Sequence, residues 1–455
     1  MAAPSNPRDA WDERLRCVME SRQIGRIVTA CLVGGLIVAL ALVLGPVAGA
    51  QEHVITGTIL LTFAASWALL ATLSMRWTNQ PQRWALAPGI FMALAGAALL
   101  VFAPNGEIVD ALGWVWPPLF LALLAGTIVR VHRDLHSRSR FWLVYPLLGV
   151  YALCALGGEY ETIRESLDRR IAAPGQLVDV GGHRLHLRCA GSGTPTVLLE
   201  SGLGETGGYW GWISPAVAGE TRVCVYDRAG RGWSDPVSAP QDGVAVATDL
   251  HMLLDRAQVP GPFVLVGHSS GAQYVRIFAG RYPEQVAGMV LLDGQPAEAF
   301  DGLPSYRMFY SAFHRIFAVL PTLARLGVGR VVVQSDPALP ADARDMHRDH
   351  HASARLYRSV RDEFEELPTA LAQARSFQSL GDRPLVVVTA AQDSQAGWLP
   401  LQRRMAALST NSSHRVVPYT HDALVTDQTA AQTSIHAIRD VVHAVRFNIP
   451  LDKSQ

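Results

Sequence analysis

The chain has 455 residues, with 39 basic and 39 acidic side chains and a formal net charge of zero. That balance excludes the charge excess that marks a nucleic-acid partner, and the length favours two or three domains over one. The mean hydropathy of +0.17 is high for a water-soluble protein, and the excess sits in the first third.

Residues 27–49 ("IVTACLVGGLIVALALVLGPVAG") are uncharged and long enough to cross a bilayer, which takes about 20 apolar residues. Four more such stretches follow at about 54–75, 84–103, 112–129 and 141–157. The first is too long for a signal-peptide core and has too many successors. The last two are the weakest, being shorter and carrying Pro117, Pro118 and Pro146.

Arginines near span ends are retained on the cytoplasmic side. They cluster before the first span (Arg8, Arg14, Arg16, Arg22, Arg26), at 76–83 (Arg76, Arg83) and at 130–140 (Arg130, Arg133, Arg138, Arg140); the loops at 50–53 and 104–111 have none. Five spans with alternating loops predict a multi-pass protein of the cell membrane, N-terminus cytoplasmic, with everything after Gly158 on the extracytoplasmic side. Losing one weak span would reverse that side.

Residues 1–158 are therefore expected to be an all-α transmembrane bundle, and 159–176 a juxtamembrane linker. The linker carries Tyr160, Ile163, Leu167 and Ile171 at helical spacing, ended by Pro174-Gly175. The rest, 177–455, alternates strand and helix signals. Strands are predicted at 177–180, 184–189, 196–200, 222–226, 263–267, 288–292, 385–389 and 415–419. Several are continuous apolar runs, which suits strands buried on both faces of a mostly parallel sheet in an α/β domain. Residues 296–380 are too long for an ordinary crossover, and their aromatic helical text predicts a cap over a site.

Gly267-His268-Ser269-Ser270-Gly271 fits G-x-S-x-G between a strand and a helix, the context in which the central serine is held in a strained turn with its hydroxyl exposed. Ser269 is thus the candidate nucleophile; the competing reading is a structural turn. A serine needs a base and the base an orienting acid, in the chain order Ser, acid, His. His421 follows the last predicted strand and is the candidate base. For the acid, Asp393 after "PLVVVTAAQ" is favoured, and Asp293 at the end of "GMVLL" is the alternative. The oxyanion donors are expected to be the N–H groups of Leu203, in the Gly-rich turn 201–204, and of Ser270. His347, His350 and His351 invite a metal reading, but "DMHRDHHASARL" also reads as a solvated helix face; no metal or other cofactor is expected.

Together "GSGTPTVLLESGLGETGGYWGWI", "TRVCVYDRAGRGWSDP", "FVLVGHSSGAQYVRIFAGRYPEQVAGMVLLDG" and "PYTHDALVTDQ" resemble the α/β-hydrolase superfamily over about 177–446. The resemblance implies an eight-stranded, mostly parallel sheet with a helical cap inserted after strand six. It places the family's nucleophile on Ser269, its histidine on His421 and its usual acid on Asp393. Ser201-Gly202 stands where the family often has His-Gly, Thr420 where a glycine often precedes the histidine, and Ala272 where a second glycine often follows the elbow. The family's strand order would also set Cys189 beside Cys224, which could pair on an oxidising side of a membrane; two buried thiols are the alternative.

The expectation is a membrane-anchored serine hydrolase that cleaves an ester or other acyl bond of a small-molecule or lipid substrate. The competing class is a hydrolase-like ligand-binding or sensor domain on a membrane anchor. The acyl group, leaving group and oligomeric state are not written in the sequence.

Overall fold

The computed structural model describes residues 7–238, 240–392 and 394–452, with side chains from residue 19 onward. It divides into two units: Met1–Arg164 with Thr322–Val328, and Glu165–Pro321 with Gly329–Gln455.

Among the described residues of the first unit, four helices are long and apolar enough to cross a bilayer: Met19–Leu44, Glu52–Trp77, Arg83–Phe102 and Arg140–Asp168. The stretch expected at 112–129 falls in a pair, Gly106–Leu112 and Trp116–Asp134, bent by 43°, which together are long and apolar enough to be a fifth span. Pro117 falls in the first turn of the second piece, where its missing N–H leaves no helical bond unmade. The unit's interior is built on aromatic edges, with Trp67 centred 5.8 Å from Trp84 and 6.4 Å from Tyr151. The linker helix expected from residue 159 is the uninterrupted end of helix Tyr145–Asp168, which stops at Asp168 rather than at Pro174.

Among the described residues of the second unit, eight strands form one sheet. They are Gln176–Asp179 (β1), Arg184–Ala190 (β2), Thr196–Glu200 (β3), Val223–Tyr226 (β4), Phe263–His268 (β5), Val286–Leu292 (β6), Leu385–Ala390 (β7) and Ser412–Val417 (β8). The order is β1-β2-β4-β3-β5-β6-β7-β8; β1, β2 and β4 run antiparallel to their neighbours in turn, and β4 onward is parallel. Strands β3, β4, β5 and β7 are buried at every position, which is why their text is continuously apolar rather than alternating. The last strand begins three residues earlier than its apolar text and ends at Val417, because Pro418 cannot donate to the ladder.

Side chains alternate between two cores. Leu198, Leu265 and Leu291 point to the face covered by helices Gly243–Arg256 and Gly271–Arg281; Val197, Val264 and Val290 point to the face covered by Ile213–Ala218 and Ala430–Phe447. The long insertion after β6 is helical, with Tyr306–Arg325, Ala341–His351 and Ala354–Glu365 as its main elements.

Cys189 and Cys224 are directly opposed in the antiparallel pair β2–β4 and form a disulfide across 35 residues of sequence. Closing a loop of that length restricts the unfolded chain by about 4 kcal/mol on the chain-entropy model. Cys189→Ser/Cys224→Ser is expected to lose up to that amount, read as a lower urea midpoint with a steeper slope, because the released unfolded chain exposes more surface; an unmoved midpoint would show that the bridge contributes nothing.

Candidate active site

β5 delivers the chain into the site. It ends at His268, and Ser269 follows with φ +53°, a left-handed conformation unusual for a residue with a side chain. The turn is held on both sides: the Ser269 N–H donates to the Leu292 carbonyl at 3.1 Å, and its own carbonyl accepts from the Gln295 N–H at 2.8 Å. The flanking glycines are a packing requirement. A Cβ on Gly267 would lie 2.8 Å from the Ala272 backbone, and one on Gly271 2.4 Å from the Glu200 carbonyl oxygen. Neither backbone neighbour can swing aside, so Gly271→Ala is expected to cost about 3 kcal/mol or more. A melting temperature equal to that of the native protein would contradict this.

His421 lies in the loop after β8, and its Nδ1 is 2.6 Å from Asp293 Oδ2. Asp293 follows β6 at φ +41° and is buried. Its Oδ1 accepts from the Trp398 indole N–H at 2.8 Å and the Ala390 N–H at 3.2 Å, so the carboxylate is fixed from three directions. The register explains its reach: β6 lies beside β5 with Leu292 opposite His268, which puts Asp293 level with Ser269. Asp293, the alternative carboxylate, thus meets the imidazole; Asp393, the favoured one, lies outside the described residues.

Leu203 and Ser270, the residues expected to supply oxyanion donors, line the same cavity of about 300 Å³ as Ser269, Asp293 and His421. The cap contributes Tyr306, Phe309, Phe364 and Leu367 to its wall. Ser201, in the place where the resembled family often has histidine, turns its Oγ away to accept from the Trp210 indole at 2.9 Å.

Two groups of residues beyond the sequence expectations hold these parts together. The first is His268 with Glu205. Glu205 Oε2 accepts from the Gly202 N–H at 2.5 Å, its Oε1 lies 2.6 Å from His268 Nδ1, and His268 Nε2 lies 3.2 Å from the His421 carbonyl. An imidazolium donates along both of the last two contacts. Burial opposes that charge, but the Glu205 carboxylate outweighs it and raises the His268 pKa; burial likewise opposes the Glu205 charge, and His268 outweighs it and lowers the Glu205 pKa. The stability contributed by His268 is therefore complete below about pH 6.5 and lost as pH rises through the raised folded-state value. His268→Gln is expected to flatten the alkaline limb of melting temperature against pH; an unchanged limb would count against the charged pair.

The second group is Arg228 and Arg231 with Glu200 and Glu363, all buried. Arg228 pairs with Glu200 and with Glu363, and Arg231 pairs with Glu363. Burial and the adjacent Arg228 charge push the Arg231 pKa down to about 9, so both carboxylates are needed to keep the two guanidinium groups in place. Both arginines stand in "YDRAGRGWSD", but nothing in that text says where they reach.

The histidine trio is packed rather than solvated. His347 and His350 are buried, His347 stacks on His351 at 3.9 Å, and His350 meets Trp233 edge-on at 4.7 Å. Burial lowers the pKa of all three. Among the described residues no group of three or more His, Cys, Asp or Glu side chains has the placement to hold a metal ion.

Comparison with known proteins agrees with this architecture. The chain is 34% identical over 199 residues to an uncharacterised protein of Schizosaccharomyces pombe, covering 37% of this chain and 36% of that one. It is 27% identical over 292 residues to a protein of Hormonema carpetanum named as a probable transporter, efuK, covering 60% and 41%. It is 40% identical over 119 residues to lipase LipV of Mycobacterium tuberculosis, covering 26% and 44%. The chain thus spans less than half the length of these curated relatives. A solved structure from Nostoc sp PCC 7120, named for the same fold, superposes with a TM-score of 0.50 at 19% identity, covering 58% of this chain and 96% of that one. A family profile described as the alpha/beta hydrolase fold matches residues 195–428, just over half of the chain. The chain belongs to the α/β-hydrolase fold family, carried behind an N-terminal region of apolar helices.

Proposed function

We propose that this chain is a membrane-anchored serine hydrolase that cleaves an ester or related acyl bond through an acyl-enzyme. The observation that carries this reading is one cavity lined by Ser269, in its left-handed turn, and by a His421 already bonded to buried Asp293. In this reading Asp293 accepts from His421 Nδ1–H and so leaves Nε2 unprotonated to act as base. Ser269 Oγ attacks the acyl carbonyl while its proton passes to Nε2. The resulting oxyanion accepts from the N–H groups of Leu203 and Ser270. His421 then returns the proton to the departing alcohol, and water repeats the sequence to release the acid.

The wall of Leu203, Tyr306, Phe309, Phe364, Leu367 and Trp398 favours an uncharged, largely apolar substrate, and the relative named as a lipase points the same way. The apolar N-terminal helices would hold the enzyme at the bilayer. The Cys189–Cys224 bridge favours the extracytoplasmic side of the cell membrane for the hydrolase unit, and the arginine distribution favours the same side when the bent pair Gly106–Leu112 and Trp116–Asp134 crosses as a fifth span.

The test is labelling of washed membranes with a fluorophosphonate probe, followed by mass spectrometry of the adducted peptide. An adduct on Ser269, absent from His421→Ala, is the expected result. A folded native protein that never labels would instead support a ligand-binding or sensor domain.

A further inference from the structure

One charge at the cavity comes from the cap. Glu363, on helix Ala354–Glu365, lines the cavity with Ser269 and Ser270, and its side chain is 8% exposed. Its carboxylate accepts from Arg228 Nη2 at 3.0 and 3.1 Å, from Arg231 Nη2, and from Ser270 Oγ at 3.0 Å. The same two arginines also reach the turn after β3. Arg228 donates to the carbonyls of Ser201 at 2.6 Å and Gly202 at 2.8 Å; Arg231 donates to those of Gly202 at 2.8 Å and Glu205 at 3.3 Å. Glu363 is therefore bonded to one residue assigned as an oxyanion donor, Ser270, and through two arginines to the turn that carries the other, Leu203.

Charge makes the link obligatory. Arg228 and Arg231 are balanced by Glu200 from the sheet and Glu363 from the cap. Without Glu363 one guanidinium charge is left buried and uncompensated, and it must draw in water or shift, moving the Gly202 carbonyl with it. Both Glu363 oxygens are already engaged by donors, so the residue is not a free base.

We propose that Glu363 is a positioning residue through which the cap completes the oxyanion hole, setting the Gly202–Leu203 turn and Ser270 in working geometry by way of Arg228 and Arg231. This rests on the reading of Ser269 as nucleophile. An oxyanion donor displaced from its place costs about 10²- to 10³-fold in kcat, and binding of the ground-state ester is little affected.

The experiment uses the full chain in detergent with p-nitrophenyl butyrate, comparing the native protein, Glu363→Gln and Glu363→Ala. Reactive sites are counted by fluorophosphonate titration, so that kcat is expressed per competent serine. Glu363→Gln keeps the volume and an acceptor for Ser270 but loses the charge. The expected result is a kcat per titrated site lower by about 10- to 100-fold in Glu363→Gln and about 100- to 1000-fold in Glu363→Ala, with KM within about threefold of native in both. Fewer titratable sites with an unchanged kcat per site would show that Glu363 only supports folding and would overturn the proposal. So would a raised KM at constant kcat, the mark of a substrate contact. If Glu363→Ala does not fold, Glu363→Gln decides alone. A native protein that neither labels nor turns over would overturn the nucleophile reading and this coupling with it.

Discussion

Ser269→Ala is expected to lower the turnover of an activated ester by about 10⁴- to 10⁶-fold, leaving only what the cavity and oxyanion donors supply without a nucleophile. The prediction is sharp because the substitution should leave the fold alone. The Ser269 side chain faces the cavity, and the turn is held by backbone bonds to Leu292 and Gln295 that alanine retains. Alanine bears the same left-handed φ at a cost similar to that of serine. The melting temperature should therefore stay near native while activity disappears. His421→Ala should lose activity to a similar degree, and the double variant should be no worse than either single one, since the two act as a unit. Activity retained in Ser269→Ala above about 10% of native would end the case for this serine, and the neighbouring Ser270 would not rescue it, being held by Glu363.

Asp293→Asn is expected to cost about 10⁴-fold in kcat with a near-native melting temperature. An amide at this position keeps the volume, and its oxygen can still accept from Trp398 and the Ala390 N–H. Its NH₂ would then face His421 Nδ1 and favour the tautomer that carries the proton on Nε2, where a base needs a lone pair. The partner measurement is Asp393→Asn, assayed alongside. Near-native activity in Asp393→Asn with collapse in Asp293→Asn would assign the acid to the end of β6. The reverse pattern would return it to the loop after β7, the family's usual place, and would mean that the 2.6 Å contact between Asp293 and His421 does not serve the reaction.

The choice between those aspartates shows where sequence reasoning stops. Both follow apolar strands, both precede His421, and both are flanked by turn-forming text. What carries Asp293 to the imidazole is register, since β6 is the direct neighbour of β5 and Leu292 stands opposite His268. That pairing is made by residues more than twenty positions apart, and no local pattern in either strand announces it. The long apolar helices were more legible, because hydropathy is a sum over local residues; the bend between Leu112 and Trp116 had only Pro117 and Pro118 as its signal. The histidine trio misled for the opposite reason. Charged text around His347, His350 and His351 reads as solvent-facing, yet Tyr209 and Trp233, from distant segments, cover those rings.

Taken alone, the sequence determined the class of the second unit and the place of the candidate nucleophile. Strand text buried on both faces, and a serine between two glycines at a strand-to-helix turn, are local consequences of packing and backbone sterics. The tertiary structure decided that Asp293 reaches His421, that Cys189 and Cys224 stand directly opposite each other, and that Glu205 with His268, and Arg228 and Arg231 with Glu363, tie the loops around Ser269 together. Those are contacts between groups distant in sequence, worth making only once burial has removed the water that would otherwise satisfy each charge.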